Sequence, residues 1–282
     1  MEKKKVVIVT NQYKDESLVL GKRIKTFLEK KHIATDIFEF SNSSADFSFT
    51  DYDFAITLGG DGTVLFAARG CLDCRIPIFP VNLGKFGFIS GIQKEEWEQS
   101  LQLFLDGKLP VTERTMLSVS VFSDGKQTAS ATALNDVIIS AGVPAKLVSL
   151  DIEYNKIPFG KYEADGVIIA TPTGSTAYSA AAGGPIVDPE LECFIVNPIC
   201  PFSLSNRPVV LPATGSLVIK VLPSRETPVT LSADGQVSVP LKTGDSVVIK
   251  KADKKVLLVN CTSDIFYGAL KSKLHWSGGP HA

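Results

Sequence analysis

Segments typical of strands and of helices alternate over the first third of the chain, and this alternation restricts the possible folds more than any other feature. The strand-like runs are short and either apolar or alternating, and the first segment between them, residues 16–32, carries apolar side chains at helical spacing. Such alternation forms a parallel sheet covered by helices, with ligands bound at the carboxyl ends of the strands. The strand-like runs cover residues 6–10, 33–40, 53–58 and 76–82, and the helical segments cover residues 16–32, 63–72 and 94–108.

The pattern changes after Pro110. From residue 114 to residue 261, apolar and polar residues alternate with a period of two around turn sequences such as SDGK, and helical periodicity is nearly absent. Many short strands of this kind are typical of a β-sandwich. The sequence therefore predicts a Rossmann-like α/β nucleotide-binding domain over residues 1–112 and a β-sandwich domain over residues 113–265. The C-terminal tail, residues 266–282, is expected to pack back on the first domain.

The charge balance argues against a general affinity for nucleic acid. The 282 residues include 29 Lys and Arg and 30 Asp and Glu, a formal net charge of −1, so no basic excess can displace counterions from a phosphate backbone. The opening MEKKKVVIVTN lacks the long apolar stretch and cleavage site of a signal peptide. Since no window approaches the roughly 18 consecutive apolar residues of a membrane span, we expect a cytoplasmic protein that binds neither nucleic acid nor membrane.

Cysteine and histidine are too few and too scattered for most metal and redox sites. Cys71 and Cys74 form a CxxC pair, but no second pair completes a four-thiolate zinc site, so two buried thiols on a helix are the simpler interpretation. The histidines are His32, His275 and His281, and a histidine-based triad is not expected. Any proton transfer is expected to fall to a carboxylate.

The turn GGDGT, residues 59–63, follows the apolar strand FAITL and precedes a helical segment. It lacks the Lys-Ser/Thr ending of a P-loop and the glycine spacing of a dinucleotide-binding fingerprint. Its glycines expose backbone N–H groups at a helix N-terminus, which favours binding of a phosphate. The carboxylate of Asp61 would repel that phosphate unless a metal ion lies between them or the carboxylate accepts a proton. The alternative is a structural turn in which Asp61 caps the helix, with Thr63 in its first turn.

A second polar segment, TPTGSTAYS at residues 171–179, follows the buried strand GVIIA. Its hydroxyl groups suit contacts to phosphate or ribose, and Tyr178 adds a flat face for a base. The alternative is a surface loop in which Ser175 or Thr176 caps a helix.

Two shorter patterns carry less information. The pair Asn135–Asp136 opens an apolar strand and suits a ribose diol or an adenine edge, but Asn-Asp is also common in turns. The DGQ segment, residues 234–236, could be only a hairpin turn.

Taken in order, the motifs GGDGT, NLGKFGF, LNDVII, DGVIIATPTGSTAYS, SNRPVV and DGQ resemble the NAD kinase family across residues 53–240. GGDGT alone also occurs in lipid kinases and phosphofructokinases, whereas its combination with TPTGSTAYS is specific. The resemblance implies transfer of the terminal phosphoryl group of ATP to the 2′-hydroxyl of the adenosine ribose of NAD, giving NADP. It also implies Mg²⁺ or another divalent cation, an active site between an α/β domain and a β-sandwich domain, and a homodimer or homotetramer.

The resemblance assigns roles residue by residue. Asp61 matches the family's catalytic aspartate, which would act as general base, while no protein ligand of the metal ion is identified. Asn135 and Asp136 match the pair that grips NAD, although its second member is more often glutamate. The phosphate-contacting turn would comprise Gly59, Gly60, Gly62 and Thr63. The other expected dinucleotide contacts are Lys146, Asp165, Thr176, Ala177, Tyr178, Ser179 and Gln236.

The chain departs from the family pattern at two positions. Glu163 stands two residues before the aspartate of DG, where many relatives carry arginine, so the phosphate contact of that arginine is not expected here. Phe202 stands where relatives commonly have histidine, which removes a polar group but not the course of the loop.

Two other functions stay open. One is a kinase of the same design that acts on a lipid, against which the lack of a basic amphipathic helix argues. The other is a dinucleotide-binding sensor without catalysis. The sequence leaves undecided whether ATP, another triphosphate or polyphosphate is the donor, and whether NAD or NADH is preferred.

Overall fold

The structure, a computed structural model, describes residues 4–40, 47–84, 87–143, 146–203, 205–224 and 227–274. The chain folds as two compact units, the first comprising Met1–Arg114 and Lys254–Ala282 and the second Thr115–Asp253. The first unit is α/β and the second is almost entirely β, which confirms the predicted fold class.

Strands and helices alternate in the first unit, whereas the second is built from strands, as the periodicity of the sequence predicts. The first part of the chain contains β1 (Lys5–Asn11), α1 (Asp15–Glu29), β2 (Ala34–Phe40), β3 (Phe54–Gly59), α2 (Asp61–Cys71), β4 (Pro77–Asn82), β5 (Ile92–Gln93), α3 (Trp97–Leu105) and β6 (Val111–Arg114). The second unit contains β7 (Leu117–Ser123), β8 (Lys126–Ala133), β9 (Asp136–Ala141), β10 (Val148–Tyr154), β11 (Ile157–Ala164), β12 (Gly166–Ala170), a 3-10 turn (Thr173–Thr176), α4 (Tyr178–Ala181), β13 (Cys193–Ile199), β14 (Val209–Pro212), β15 (Ser216–Val221), β16 (Val229–Ala233), β17 (Val237–Leu241) and β18 (Ser246–Lys251). The chain then returns to the first unit with β19 (Val256–Val259) and α5 (Ser263–Leu274).

The sheet of the α/β unit has the strand order β2-β1-β3-β4-β19-β6, with the short β5 beside β4. Neighbouring strands are parallel except β6, which is antiparallel to β19. Strand β3 is buried along its whole length, as expected of a parallel strand covered on both faces. Ile24 on α1 and Leu101 on α3 pack in the cluster on one face, and on the other the Phe66 ring of α2 contacts Phe40. The carboxyl ends of β1, β3 and β4 therefore lie at one edge of this sheet.

The second unit is a sandwich of two six-stranded antiparallel sheets, in the orders β11-β10-β15-β18-β7-β8 and β14-β13-β12-β9-β16-β17. Buried side chains from both sheets, among them Val119, Phe194 and Ile249, form one core cluster. A smaller cluster containing Ile168 and Ile195 lies on the outer face of the second sheet. Because side chains alternate between the faces of a strand, this outer face also carries Ile138 and Ser140.

The boundary between the units differs from the predicted one. Residues 254–265, predicted to belong to the sandwich, belong to the α/β unit, because β19 pairs in parallel with β4 and antiparallel with β6. The alternation in DKKVLLVN predicts a strand correctly, but a period of two carries no information on which sheet the strand joins.

Helix α5 accounts for the expected return of the tail to the first unit. The Phe266 ring lies 6.1 Å from the Phe88 ring, centre to centre. Residues 275–282 of the predicted tail, including His275 and His281, lie outside the described residues. Within the described ranges, none of the helices is both long enough and apolar enough to cross a bilayer.

Candidate active site

The GGDGT turn lies at the carboxyl end of β3, where the sheet edge meets the N-terminus of α2. Gly59 ends the strand, Gly60 occupies the N-cap position with extended backbone, and α2 begins at Asp61. A Cβ at Gly59 would lie 2.1 Å from the Thr63 hydroxyl oxygen, so only glycine allows the buried Thr63 side chain to pack there. A Cβ at Gly60 would have no neighbouring atom within 4 Å, and Gly62 is exposed. Gly60 and Gly62 are thus accessible at a helix N-terminus, a place that favours an anion, while Thr63, predicted as a phosphate ligand, packs against the turn itself.

The Asp61 carboxylate accepts three hydrogen bonds from a loop almost thirty residues further along the chain. The Phe88 backbone N–H donates to Oδ2 at 3.0 Å, and the Ile89 N–H and the Ser90 hydroxyl donate to Oδ1 at 3.4 and 2.7 Å. Asp61 is thus not the helix cap of the alternative interpretation, since Gly60 holds that position. A carboxylate has about four acceptor sites, so these donors orient the group and leave it capacity to accept a proton.

This loop begins at the end of the NLGKFGF motif, residues 82–88, of which Lys85 and Phe86 lie outside the described residues. A Cβ at Gly87 would lie 2.0 Å from Asp61 Oδ1 and 2.0 Å from the Ser90 hydroxyl oxygen. Glycine at this position is therefore a condition for the close approach of the loop to the carboxylate.

The β-sandwich unit contains a cleft of about 480 Å³ on the outer face of its second sheet. Three of the predicted dinucleotide contacts, Lys146, Asp165 and Tyr178, line it together. The Tyr178 side chain is 47% exposed, so the ring is available to stack on a ligand. The rest of the lining is contributed by Ile138, Ser140, Ala141, Gly142, Val143, Ile199 and Ser232. The lining of the cleft thus includes apolar side chains, a basic residue (Lys146) and an acidic residue (Asp165).

The predicted pair Asn135–Asp136 lies at the start of β9, and Asp136 shares the face of the strand that carries Ile138 and Ser140 of the cleft. The turn is held by Asp234, whose carboxylate accepts hydrogen bonds from the N–H groups of Leu134, Asn135 and Asp136 at 2.9, 2.8 and 3.2 Å. The Asp234 N–H donates in return to the Asp136 carbonyl at 2.9 Å. One aspartate of the DGQ segment therefore positions the whole pair.

The sequence predicts a role only for Gln236 in DGQ, whereas the structure shows that Asp234 is the residue of this segment that holds the Asn135–Asp136 turn. The segment is the hairpin turn between β16 and β17, with Asp234 and Gly235 at φ 52° and 64°, and the Gln236 N–H closes it on Ala233. An acid before glycine at a hairpin turn was the available signal, since Asp tolerates positive φ there. The described lining of the cleft does not include Gln236.

Burial of Asp136, together with the charge of the neighbouring Asp234, raises the pKa of its carboxyl from 3.8 to about 7. The Asp136 residue is only 4% exposed, and the described residues donate no hydrogen bond to its carboxyl oxygens. A buried acid without donors favours its neutral form. Ionisation of Asp136 therefore lowers the stability of the folded protein. A ligand whose hydroxyl groups donate hydrogen bonds to the carboxylate would offset this loss.

Asp136→Asn is expected to stabilise the protein by on the order of 2–4 kcal/mol at pH 8 and by less than half as much at pH 5. The reason is that the pKa is higher in the folded state, about 7, than the ordinary 3.8, so the stability of the neutral acid is complete below pH 3.8 and is lost as the pH rises from there to about 7. Urea unfolding at both pH values measures the difference. Asp124→Asn, at an exposed turn, serves as the control. Equal effects of Asp136→Asn at pH 5 and pH 8 would contradict the argument.

The TPTGSTAYS loop is built largely by its own hydroxyl groups. Thr171 donates to the Leu134 carbonyl at 2.5 Å and accepts from the Gly174 N–H, and Ser175 exchanges hydrogen bonds with the Val187 backbone. A Cβ at Gly174 would lie 2.1 Å from the Asn135 carbonyl oxygen, so this glycine lets the loop lie against the Asn-Asp turn.

Among the four consecutive residues predicted to surround adenosine, only Tyr178 is in the described lining of the cleft. The Thr176 hydroxyl donates to the Thr173 carbonyl at 3.3 Å, and Ala177 connects the 3-10 turn to α4. Ser179 is fully buried, and its hydroxyl accepts a hydrogen bond from Asn197. The local sequence therefore identifies the loop, while the fold decides which of its side chains face outward.

The two departures from the family pattern are neighbours in space. The Phe202 N–H donates to the Glu163 carbonyl at 2.8 Å. The Glu163 side chain is exposed, and the Phe202 side chain is 76% exposed. The backbones at the two departures are therefore adjacent, and both side chains face solvent.

In the described part of the chain, no group of three or more His, Cys, Asp and Glu side chains is placed to hold a metal ion. Cys71 and Cys74 of the CxxC pair are free thiols at the end of α2. Cys71 is buried, and burial raises the pKa of its thiol well above the usual range, which disfavours the reactive thiolate.

Comparison with known proteins assigns both units to one family. The model of the ATP-NAD kinase N-terminal domain matches residues 44–109, and the model of the ATP-NAD kinase C-terminal domain matches residues 134–261. The chain belongs to the NAD kinase family. An NAD kinase from Treponema denticola is 48% identical over 276 residues, which cover 98% of this chain and 97% of that protein. An NAD kinase from Geobacter sulfurreducens is 44% identical over 224 residues, covering 79% and 78% of the two chains.

Solved structures agree with this assignment. An NAD kinase from Archaeoglobus fulgidus in complex with ATP is 26% identical, with a TM-score of 0.77 over 97% of this chain and 100% of that chain. A yeast NADH kinase complexed with NADH is 24% identical and shares the fold, with a TM-score of 0.87 over 100% of this chain and 90% of the yeast chain. As a member of the NAD kinase family, the chain is a kinase, that is, a phosphotransferase.

Proposed function

We propose that this enzyme transfers the terminal phosphoryl group of ATP to the 2′-hydroxyl of the adenosine ribose of NAD, with Asp61 as general base. The observation that carries the proposal is the Asp61 carboxylate, oriented by three donors beside a glycine turn at a helix N-terminus. The relatives support the choice of substrates, because the Archaeoglobus fulgidus NAD kinase was solved with ATP and the yeast NADH kinase with NADH.

The proposed base answers the main chemical demand of the reaction. A ribose hydroxyl is a weak nucleophile at neutral pH, and a positioned carboxylate that accepts its proton accelerates transfer by about 10²- to 10⁴-fold. Phosphoryl transfer otherwise depends on positioning and on stabilisation of charge. The N–H groups and dipole at the start of α2, at Gly60 and Gly62, would stabilise the phosphates of ATP.

The cleft of the β-sandwich unit would hold the dinucleotide. Tyr178 would stack on a base, and Lys146 would pair with a phosphate. Asn135 and Asp136 would grip the ribose diol, and Asp165 would accept from the nicotinamide half. Three further residues are proposed as dinucleotide contacts on the family resemblance alone: Thr176 and Ser179, whose hydroxyls bond within the protein, and Gln236.

A divalent cation, Mg²⁺ or a similar ion, is proposed to enter with ATP. The described residues offer no cluster of ligands for it, and both oxygens of Asp61 already accept protein hydrogen bonds. Mg²⁺ commonly binds through substrate phosphates and water with few protein ligands. When bound, the ion would reduce the negative charge of the phosphates, and the residues of the chain would position them.

A coupled assay tests the proposal against the two rival functions. NAD, NADH and a diacylglycerol are offered in turn with Mg²⁺ and either ATP, another triphosphate or polyphosphate, and NADP, NADPH and phospholipid are measured. Rapid formation of NADP from NAD and ATP is expected. Phosphorylation of the lipid alone would establish a lipid kinase, and NAD binding by calorimetry without turnover of any donor would establish a sensor. Light scattering in the same buffer tests the proposed homodimer or homotetramer.

A further inference from the structure

The loop that orients Asp61, residues 87–90, is itself held by the C-terminal part of the α/β unit. The thiol of Cys261 donates a hydrogen bond to the Ile89 carbonyl oxygen at 3.3 Å. Cys261 is buried, and this burial, opposed by the charge of Arg114 and aided by that of Asp61, raises the pKa of the thiol to about 12. The thiol therefore stays protonated and acts as a donor at neutral pH.

The backbone of Cys261 is held in turn by β6. Its carbonyl oxygen accepts hydrogen bonds from the guanidinium of Arg114 and from the Thr112 hydroxyl, the latter at 3.2 Å. Arg114 is 3% exposed, so the contact with its guanidinium is shielded from water. Because β6 pairs with β19 immediately before Cys261, a rigid pair of strands determines where the thiol lies.

Helix α5 makes a second contact with the same loop. The buried Phe266 ring lies 6.1 Å from the Phe88 ring, and the Lys273 ammonium lies 4.7 Å above the centre of that ring. The start of α5 also abuts the end of the loop, since a Cβ at Gly91 would lie 3.2 Å from the Ile265 side chain. Phe88 and Ile89, the residues so contacted, are those whose N–H groups donate to Asp61.

We propose that residues 261–273 are a positioning segment for Asp61, in which Cys261, Phe266 and Lys273 hold the loop that orients the catalytic carboxylate. The role in catalysis rests on the proposed function of Asp61. None of the three side chains needs to touch substrate, because each acts through Phe88 or Ile89. The segment thus couples the C-terminal helix to the rate of phosphoryl transfer.

The first test replaces the thiol. Cys261→Ala is expected to lower kcat for NADP formation by about two- to tenfold, the factor that corresponds to loss of one hydrogen bond. Hydrogen exchange at the Phe88 and Ile89 amides should accelerate by a similar factor. Cys261→Ser, which keeps a hydrogen-bond donor at this position, should have a kcat and amide exchange rates close to those of the parent. Cys71→Ala is the matched control, since it also removes a buried thiol from the α/β unit and should leave both unchanged.

The second test uses two lysines of the last turn of α5. Lys273→Ala should accelerate exchange at the Phe88 amide and lower kcat by about two- to fivefold, the factor of an exposed cation–π contact. Lys271→Ala removes the same charge from the same exposed turn and should change neither the exchange rate at the Phe88 amide nor kcat. Equal effects of the two variants would show that net charge or helix stability is responsible, and would overturn the proposal.

Hydrogen exchange tests whether the segment holds the loop, and kcat tests whether this affects catalysis. Together they distinguish a failure of this proposal from a failure of the proposed function. Unchanged exchange at Phe88 and Ile89 in Cys261→Ala and Lys273→Ala would overturn the positioning role whatever the activity. Faster exchange with unchanged kcat would overturn the link to catalysis. An active Asp61→Asn variant would instead disprove the general base, and the exchange result would still decide whether the segment holds the loop.

Discussion

Asp61→Asn is expected to lower the rate of NADP formation by about 10²- to 10⁴-fold, because the amide cannot accept the proton of the ribose hydroxyl. The side chain keeps its size and can still accept from Ile89 and Ser90 through one oxygen. Its amide nitrogen would face the Phe88 N–H, a repulsive contact that costs about 1–3 kcal/mol of stability without abolishing the fold.

Steady-state kinetics measures kcat and KM, calorimetry measures the affinity for NAD, and circular dichroism checks the fold of the variant. Affinity for NAD is expected to remain close to that of the parent, since its proposed contacts lie in the β-sandwich unit. Asp53→Asn is a matched control, because the Asp53 carboxylate also accepts a backbone hydrogen bond, from Lys5, away from the glycine turn. A variant with the parent rate would mean that Asp61 is not the base.

Gly87→Ala is expected to lower kcat by about 10²-fold, the effect of displacing a reacting group by roughly 1 Å. The added methyl carbon would lie 2.0 Å from Asp61 Oδ1 and from the Ser90 hydroxyl oxygen, far inside any contact distance. Both atoms are ends of side chains, so the carboxylate would turn away while the backbone stays folded. Kinetics below the unfolding temperature, with thermal unfolding in parallel, measures the two effects separately.

Gly84→Ala provides the control for this substitution. It adds the same methyl group three residues earlier, where the nearest atom, Oδ1 of Asn82, would lie at an ordinary 3.8 Å. Gly84→Ala is therefore expected to change kcat only slightly. Comparable losses of kcat in the two variants would show that backbone freedom of the segment, rather than the contact with Asp61, governs the rate.

Much of the fold follows from local pattern alone. The strand predicted at 53–58 and the helix predicted at 63–72 appear as β3 and α2, because a short apolar run that ends in a glycine turn and is followed by a longer apolar segment is typical of a buried strand followed by a buried helix. The helix begins two residues earlier than predicted, at Asp61, since the glycine before it serves as N-cap.

The site was predicted less completely than the fold. The glycine turn and the Asn135–Asp136 pair are recognisable because residue types in a fixed order carry them. Asp234, about a hundred residues from the turn that it holds, has no local signal that names its partners. The sequence does not distinguish buried from accessible hydroxyls in the TPTGSTAYS loop, whereas the fold buries Thr171, Thr173, Ser175 and Ser179 and leaves Thr176 partly exposed.

The sequence by itself determined the order of strands and helices, the position of the glycine turn and the family to which the chain belongs. Only the tertiary structure decided that β19 joins the parallel sheet, that the loop at residues 87–90 orients Asp61, and that Cys261 supports this loop. The reason is physical: periodicity records which side of a segment is buried, whereas hydrogen bonds between distant segments form only once the chain has brought them together.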